Sequence, residues 1–238
     1  MTDVPDTDVN GSGVREHLAL VLDADDLVAA LRLARDLKPW FGVAKVGLEL
    51  FSASGPDAIG PLIDLGYDVF LDLKLHDIPT TVNKASRVLG ALGVSYVTMH
   101  AHGGVDMLRS GVEGLAEGSG NAGLVQPIAL AVTVLTSDSE APPHIVPKRV
   151  KVALEGGCGG IVCAAADLTE IRQYAPALLK VVPGIRSAGS PKHDQARSST
   201  PAEALSGGAD LLVVGRTVTQ ADDPVAAAAA LTAELTAA

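Results

Sequence analysis

Aromatic side chains are scarce in this chain: three Phe, three Tyr and one Trp make up 3% of its 238 residues. A core must therefore be built from Ala, Val, Leu and Ile, which suits a hydrophobic fraction of 47%. Uninterrupted apolar runs of the ~18–20 residues that a membrane span needs are absent, so no membrane association is expected. Basic residues are outnumbered, 18 Lys and Arg against 28 Asp and Glu, for a net charge of −10. That balance favours solubility and argues against a general nucleic-acid-binding surface. An anionic ligand would have to be held by a few local basic residues. Cysteine is nearly missing too. Cys158 and Cys163 cannot make a disulfide framework. Their C-x4-C spacing could contribute to a metal site, but no further cysteine completes one. Cys163 also lies inside the apolar run GIVCAAA, so buried free thiols are the expectation.

The opening MTDVPDTDVNGSG has neither the basic start nor the apolar stretch of a signal peptide. Residues 1–15 read as a disordered tail and residues 16–238 as one catalytic domain, with the cytoplasm as the default address.

From His17 onward, short β-rich apolar runs alternate with helical patterns. The runs are HLALVLD, VAKVGLEL, VFLDLKL, YVTMHA, QPIALAVTVL, GIVCAAA, LLKVVPGI and DLLVVG. Helical faces follow them: Leu27, Leu31, Ala34 and Leu37; a stretch near Ala53 to Leu65; Val82, Ala85, Val88 and Leu92; and Val105 to about Ala116. A last helix opens at Pro224, a residue suited to a first turn. The first four strands begin near His17, Val43, Val69 and Ser95, a spacing of about 26 residues that fits one strand plus one helix. Eight such units point to an α/β fold, a single (β/α)8 TIM barrel. An open doubly wound sheet is the alternative, because strand order is not written in a sequence.

Polar residues cluster where barrel enzymes keep their chemistry. Asp23, Lys45, Asp72, Lys74, His100, Thr136, Arg186 and Gly215 fall at or just past the C-terminal ends of the expected strands. The two longest loops, 136–149 and 186–200, should open on that same face. The most informative segment is DLKLHDIPTT, residues 72–81. On a strand, Asp72 and Lys74 share a face. An ion pair serving only structure is unattractive there, since burying charges at a strand end is costly. Lys45 would face the same pocket, and Asp77 would complete a Lys-Asp-Lys-Asp array in which each charge has opposite neighbours. Asp77 reads equally well as the N-cap of the third helix, with Ile78 and Pro79 in its first turn. Thr81 could be a plain first-turn residue, and Asp23 the N-cap of the first helix. His100 and His102 form an H-x-H pair that could suggest a metal, but nothing at the other strand ends completes a ligand set. Glu49 and Trp40 read as structural.

The run DLKLHDIPTTV, with KVGLELF, TVLTS, VPGIR, HDQAR and VVGR in this order, resembles the orotidine 5′-phosphate decarboxylase family over about residues 17–220. The D-x-K-x-x-D core alone is shared by a wider superfamily of phosphosugar decarboxylases and aldol-type synthases. The H-D-I-P-x-T extension and the late phosphate motifs narrow the match. The resemblance implies conversion of orotidine 5′-monophosphate to UMP and carbon dioxide, in pyrimidine synthesis, with no metal or organic cofactor. It implies Lys74 as proton donor, Asp72 against the substrate carboxylate, and Lys45 and Asp77 completing the network and contacting the ribose. Asp23 would also bind the ribose, Thr136 the pyrimidine, and Arg186, Gln195, Gly215 and Arg216 the phosphate. Ile78 and Thr81 are carried over as further substrate contacts. The residue matching Asp77 would come from the partner subunit of a homodimer. Two departures stand out: HDQAR where a more acidic run is expected before Gln195, and Thr217 where a Pro often follows the arginine. A metal-dependent sugar-phosphate decarboxylase or synthase on the same barrel is the rival reading.

Overall fold

Strands covered by helices on one side and enclosing a core on the other have no room for polar alternation, and these strands have almost none. A computed structural model of the chain describes residues 13–135, 137–138, 142, 144–186 and 199–236. Eight strands, β1 (Leu18–Leu22), β2 (Val43–Val46), β3 (Asp68–Leu75), β4 (Tyr96–His100), β5 (Ile128–Val132), β6 (Gly160–Val162), β7 (Leu179–Val182) and β8 (Leu211–Val214), pair in sequence order. All pairings are parallel, and β8 closes on β1 through Leu18↔Leu212, Ala19↔Val213 and Leu20↔Val214. The fold is a closed (β/α)8 barrel, and the open-sheet alternative is excluded.

Alternation divides the strand side chains between two cores. Ala19, Val21, Val43, Phe70, Leu130, Val132, Val162, Val181, Leu211 and Val213 fill the barrel interior. The alternate residues, among them Leu18, Leu20, Leu22, Ala44, Val46, Val69 and Leu71, pack outward against the helices. Cys158 and Cys163 are free and buried, and burial pushes the Cys158 thiol up to about 12. Trp40 is half-buried against the outer core, a packing role.

The helices are α1 (Leu27–Leu37), α2 (Leu48–Ser54), α3 (Ile59–Asp64), α4 (Pro79–Gly90), α5 (Gly104–Ala122), α6 (Ile145–Glu155), α7 (Leu168–Tyr174), α8 (Pro201–Ser206), α9 (Arg216–Thr219) and α10 (Pro224–Thr236). They depart from the expected eight in two places. The stretch near Ala53–Leu65 is two helices, because Gly55 adopts a left-handed φ of 57° and a 3-10 turn joins α2 to α3. A one-turn helix, α9, follows β8 before α10. The buried face of α4 is Val82, Ser86, Leu89 and Gly90 rather than Val82, Ala85, Val88 and Leu92; Val88 is exposed and Leu92 lies past the helix end. The segment 136–149, read as loop, is helical from Ile145. Residues 1–12 of the expected tail lie outside the described residues. Arg15 opens a 3-10 turn, and its carbonyl accepts from Gly42 N–H, which ties this turn to the entrance of β2. Among the described residues, no helix is long and apolar enough to cross a membrane.

Candidate active site

The inward series of each strand changes character at the C-terminal end. Val21, Phe70, Val132, Val162 and Val213 form an apolar floor. Two residues further along β1 and β3 stand Asp23 and Asp72. Lys45 follows Val43 on β2, and Thr98 follows Tyr96 on β4. Above the floor is a cavity of about 650 Å³, lined by Asp23, Lys45, Asp72 and Lys74, and by Arg186, Gly215 and Arg216 from the ends of β7 and β8. In an eight-stranded ring β7 lies across from β3, so the cavity has an alternating-charge wall and, across from it, an arginine-bearing one.

The first wall is a continuous chain of opposite charges. Lys45 Nζ lies 3.4 Å from Asp23 Oδ1 and 3.5 Å from Asp72 Oδ2, and Lys74 Nζ donates to Asp72 Oδ1 at 2.8 Å. Lys45 is buried, and its ammonium has a carboxylate on each side. Burial pushes the Asp72 carboxyl up, but the Lys45 and Lys74 charges and hydrogen bonds from Lys74 and Thr98 outweigh it. The net result is a carboxyl held below its ordinary value. Asp72 is therefore a fixed negative charge beside two ammonium groups.

Asp72 and Lys74 do meet, though not by plain strand alternation. The β3–β4 register slips between Leu71 and Leu75, and Lys74 adopts φ 51°, the single positive φ outside glycine among the described residues. Its amide N–H leaves the ladder and donates to Thr98 Oγ1 at 2.8 Å. Gly47 contributes by lacking a side chain: a Cβ there would lie 2.9 Å from both Asp23 Oδ1 and Lys45 Nζ. On the far wall Arg186 is buried, and its Nη1 donates to Ile185 O at 2.8 Å and to Thr217 Oγ1 at 3.3 Å. A proline at position 217 could not accept that bond.

A sequence model of the orotidine 5′-phosphate decarboxylase / HUMPS family matches residues 16–231. The chain belongs to that family. It is 45% identical over 231 residues to the orotidine 5′-phosphate decarboxylase of Anaeromyxobacter dehalogenans, covering 92% of this chain and 98% of the relative. Identity to that of Moorella thermoacetica is 42% over 233 residues, covering 93% and 92%. The crystal structure of the Lactobacillus acidophilus orotidine 5′-phosphate decarboxylase superposes with a TM-score of 0.77 at 35% identity, covering 92% of this chain and 98% of that one.

Within this member of the decarboxylase family the expected site residues divide into three groups. Asp23, Lys45, Asp72, Lys74, Arg186, Gly215 and Arg216 line one cavity, as does Glu49. Asp77, Ile78 and Thr81 do not line it; all three are exposed, Ile78 by 66%. Within the chain, then, the carboxylate that extends the array beyond Lys45 is Asp23 and not Asp77. Asp77 does not cap α4 either, because the helix starts at Pro79 with Ile78 at its cap. Asp77 Oδ1 instead accepts from Ile78 N–H at 2.6 Å. Asp23 is no cap for α1, whose cap is Asp26, accepting from Val28 and Ala29 N–H. Thr136 and Gln195 lie outside the described residues.

His100 and His102 meet the ring of His76, with centroids 5.5–6.4 Å apart. Burial first, then the charge of Arg149, neighbouring His76 and His102, and Lys74 hold His100 below its ordinary value, which favours the neutral imidazole. Among the described residues no group of three or more His, Cys, Asp or Glu is arranged to hold a metal ion. Sequence reasoning missed Thr98 and Gly47, and it singled out Thr217 without its bond to Arg186. The inward period of β4 could have found Thr98, whereas the role of Gly47 depends on a close approach that only three dimensions reveal.

Proposed function

We propose that the chain decarboxylates orotidine 5′-monophosphate to UMP and carbon dioxide, with Lys74 as the proton donor. Breaking the bond between the carboxyl carbon and pyrimidine carbon six releases carbon dioxide and leaves the electron pair in the ring plane, where resonance helps little. The Lys74 ammonium stabilises that developing charge in place and then delivers its proton to carbon six. Solvent returns the proton to Lys74. Asp72 holds Lys74 and lies against the substrate carboxylate, while Lys45 keeps Asp72 ionised. Asp23 binds the ribose, and Thr136 the pyrimidine. The phosphate takes charge-assisted hydrogen bonds from Arg216 and Arg186, with Gly215 N–H and Gln195 completing the grip. No metal or organic cofactor enters this scheme.

The observation that carries this reading is the unbroken Asp23–Lys45–Asp72–Lys74 chain on one wall of a cavity whose far side holds two arginines. It suits a substrate with a reacting carboxylate at one end and a phosphate at the other. The exposed Asp77, Ile78 and Thr81 fit a homodimer in which they complete the cavity of the second copy, and the enzyme's expected place is the cytoplasm.

The deciding experiment follows the ultraviolet change of orotidine 5′-monophosphate with purified protein. Turnover that EDTA does not diminish is expected; no turnover would overturn the reading. Turnover lost to EDTA and restored by magnesium would favour the metal-dependent sugar-phosphate decarboxylase or synthase.

A further inference from the structure

We propose that Thr98 is a positioning residue whose single hydroxyl fixes the Asp72 carboxylate and the Lys74 backbone relative to each other. The inference rests on the decarboxylase reading and deepens it.

Thr98 is fully buried, on the inward side of β4 beside β3. A hydroxyl carries one proton and two acceptor lone pairs. Here it accepts from the Lys74 backbone N–H at 2.8 Å and donates to Asp72 Oδ1 at 3.1 Å. Its alternative acceptor, Leu71 O, is more distant at 3.4 Å. Both roles run at once, so one atom joins the main chain of the proton donor to the side chain of its carboxylate partner.

The local backbone explains why a side chain is needed. In an unbroken parallel ladder, β4 carbonyls would receive the β3 amides. The ladder breaks between Leu71 and Leu75, and Lys74 turns left-handed at φ 51°. The Thr98 side chain takes the amide that the ladder has released. Asp72 Oδ1 thereby receives two donors, Thr98 Oγ1 and Lys74 Nζ, while Oδ2 faces Lys45. Rotating the carboxylate would break the hydroxyl bond, and relaxing the left-handed turn would break the amide bond. The Thr98 hydrogen bond is also among the influences that lower the Asp72 pKa.

The test compares Thr98→Val, which keeps the branched shape without the hydroxyl, with Thr98→Ser, which keeps the hydroxyl. Misplaced catalytic groups lose rate by up to about a hundredfold, so Thr98→Val should lower kcat by roughly ten- to a hundredfold with KM within about threefold. Thr98→Ser should keep more than about a third of kcat, on the same reasoning about geometry. Rates are normalised to folded protein by circular dichroism. The acid limb of kcat should move to higher pH in Thr98→Val only, since loss of a donor raises the Asp72 pKa. A Thr98→Val kcat within about a factor of two of wild type, or a Ser variant as poor as the Val one, would overturn the proposal. If Thr98→Val does not fold, Thr98→Cys, a weak donor of similar size to Ser, takes its place. If wild type does not turn over orotidine 5′-monophosphate, the decarboxylase reading fails on its own. The clamp is then judged by 13C-NMR titration of Asp72: a higher pKa in Thr98→Val upholds it, and an equal one refutes it.

Discussion

Lys74 occupies a backbone region that costs an L-residue about 1–2 kcal/mol, and the surrounding bonds hold it there. The spacing of Asp72 and Lys74 was legible in the sequence, and so was their meeting. The route was not, because a two-residue slip in a strand leaves no periodic mark. Gly47 was equally silent: its φ of −91° is ordinary, and only the approach of two charged atoms makes its hydrogen matter. Gly47→Ala should therefore leave Tm unchanged or slightly raised while kcat/KM falls about tenfold, because the new methyl displaces a salt bridge and not the backbone. Thermal melts beside steady-state kinetics check this split; a matching loss in both would refute it. Lys45→Met tests the electrostatics of the same wall. Burial raises the Asp72 pKa and Lys45 is the strongest influence opposing it, so the variant's carboxyl should titrate at higher pH than wild type. Asp72 contributes stability that is present above its unfolded pKa and is lost as pH falls through the lower folded value. In the variant, whose folded value lies closer to the unfolded one, that loss should be smaller and complete at higher pH, as carboxyl 13C titration and melts at stepped pH would record.

Among the elements, α4 and α5 show tertiary packing overriding propensity. The sequence reading placed α5 from Val105 to about Ala116, and Gly111, Gly114, Gly118 and Gly120 are poor helix formers. The helix continues to Ala122 because three of those glycines let neighbouring groups approach. A Cβ at Gly114 would lie 2.3 Å from Asn83 O, at Gly118 2.0 Å from Arg87 O, and at Gly111 2.3 Å from Met99 Sδ. Asn83 Nδ2 donating to Ser110 O at 2.9 Å locks the pair. Gly118→Ala should cost at least ~1–3 kcal/mol, as overpacking against backbone does, and lower Tm by several degrees. Gly120→Ala is the control: nothing lies within 4 Å of its Cβ, so helix propensity alone should make it neutral or stabilising by up to ~1 kcal/mol. Equal effects would mean that α4 and α5 are not in such close contact.

For the whole molecule, the 26-residue rhythm made the barrel legible, and strand-end polarity made its mouth legible. A single chain could not reveal whether Asp77 serves a site that it does not line. Subunit exchange addresses this. In the proposed dimer, Lys74→Ala and Asp77→Asn chains, each expected to be nearly inactive, would form about half mixed dimers on random reassortment, and each mixed dimer would hold one intact site. Roughly a quarter of all sites should regain full activity if Asp77 acts in its partner's cavity. Mass tagging confirms the exchange. Activity that stays at the average of the two variants would refute the shared site and leave Lys74 untouched.

The valines and phenylalanine beneath the charged wall have a further consequence. Val21, Phe70, Val132, Val162 and Val213 are at once the top of the barrel's inner core and the floor of the charged cavity. The same side chains both hold the protein together and shape the cavity. A methyl group added or removed there is felt simultaneously as heat resistance and as pocket depth. An adaptation to a hotter or colder setting that left the pocket undisturbed would have to be found outside this ring, in the outer shell where Leu20, Val46 and Leu71 meet the helices.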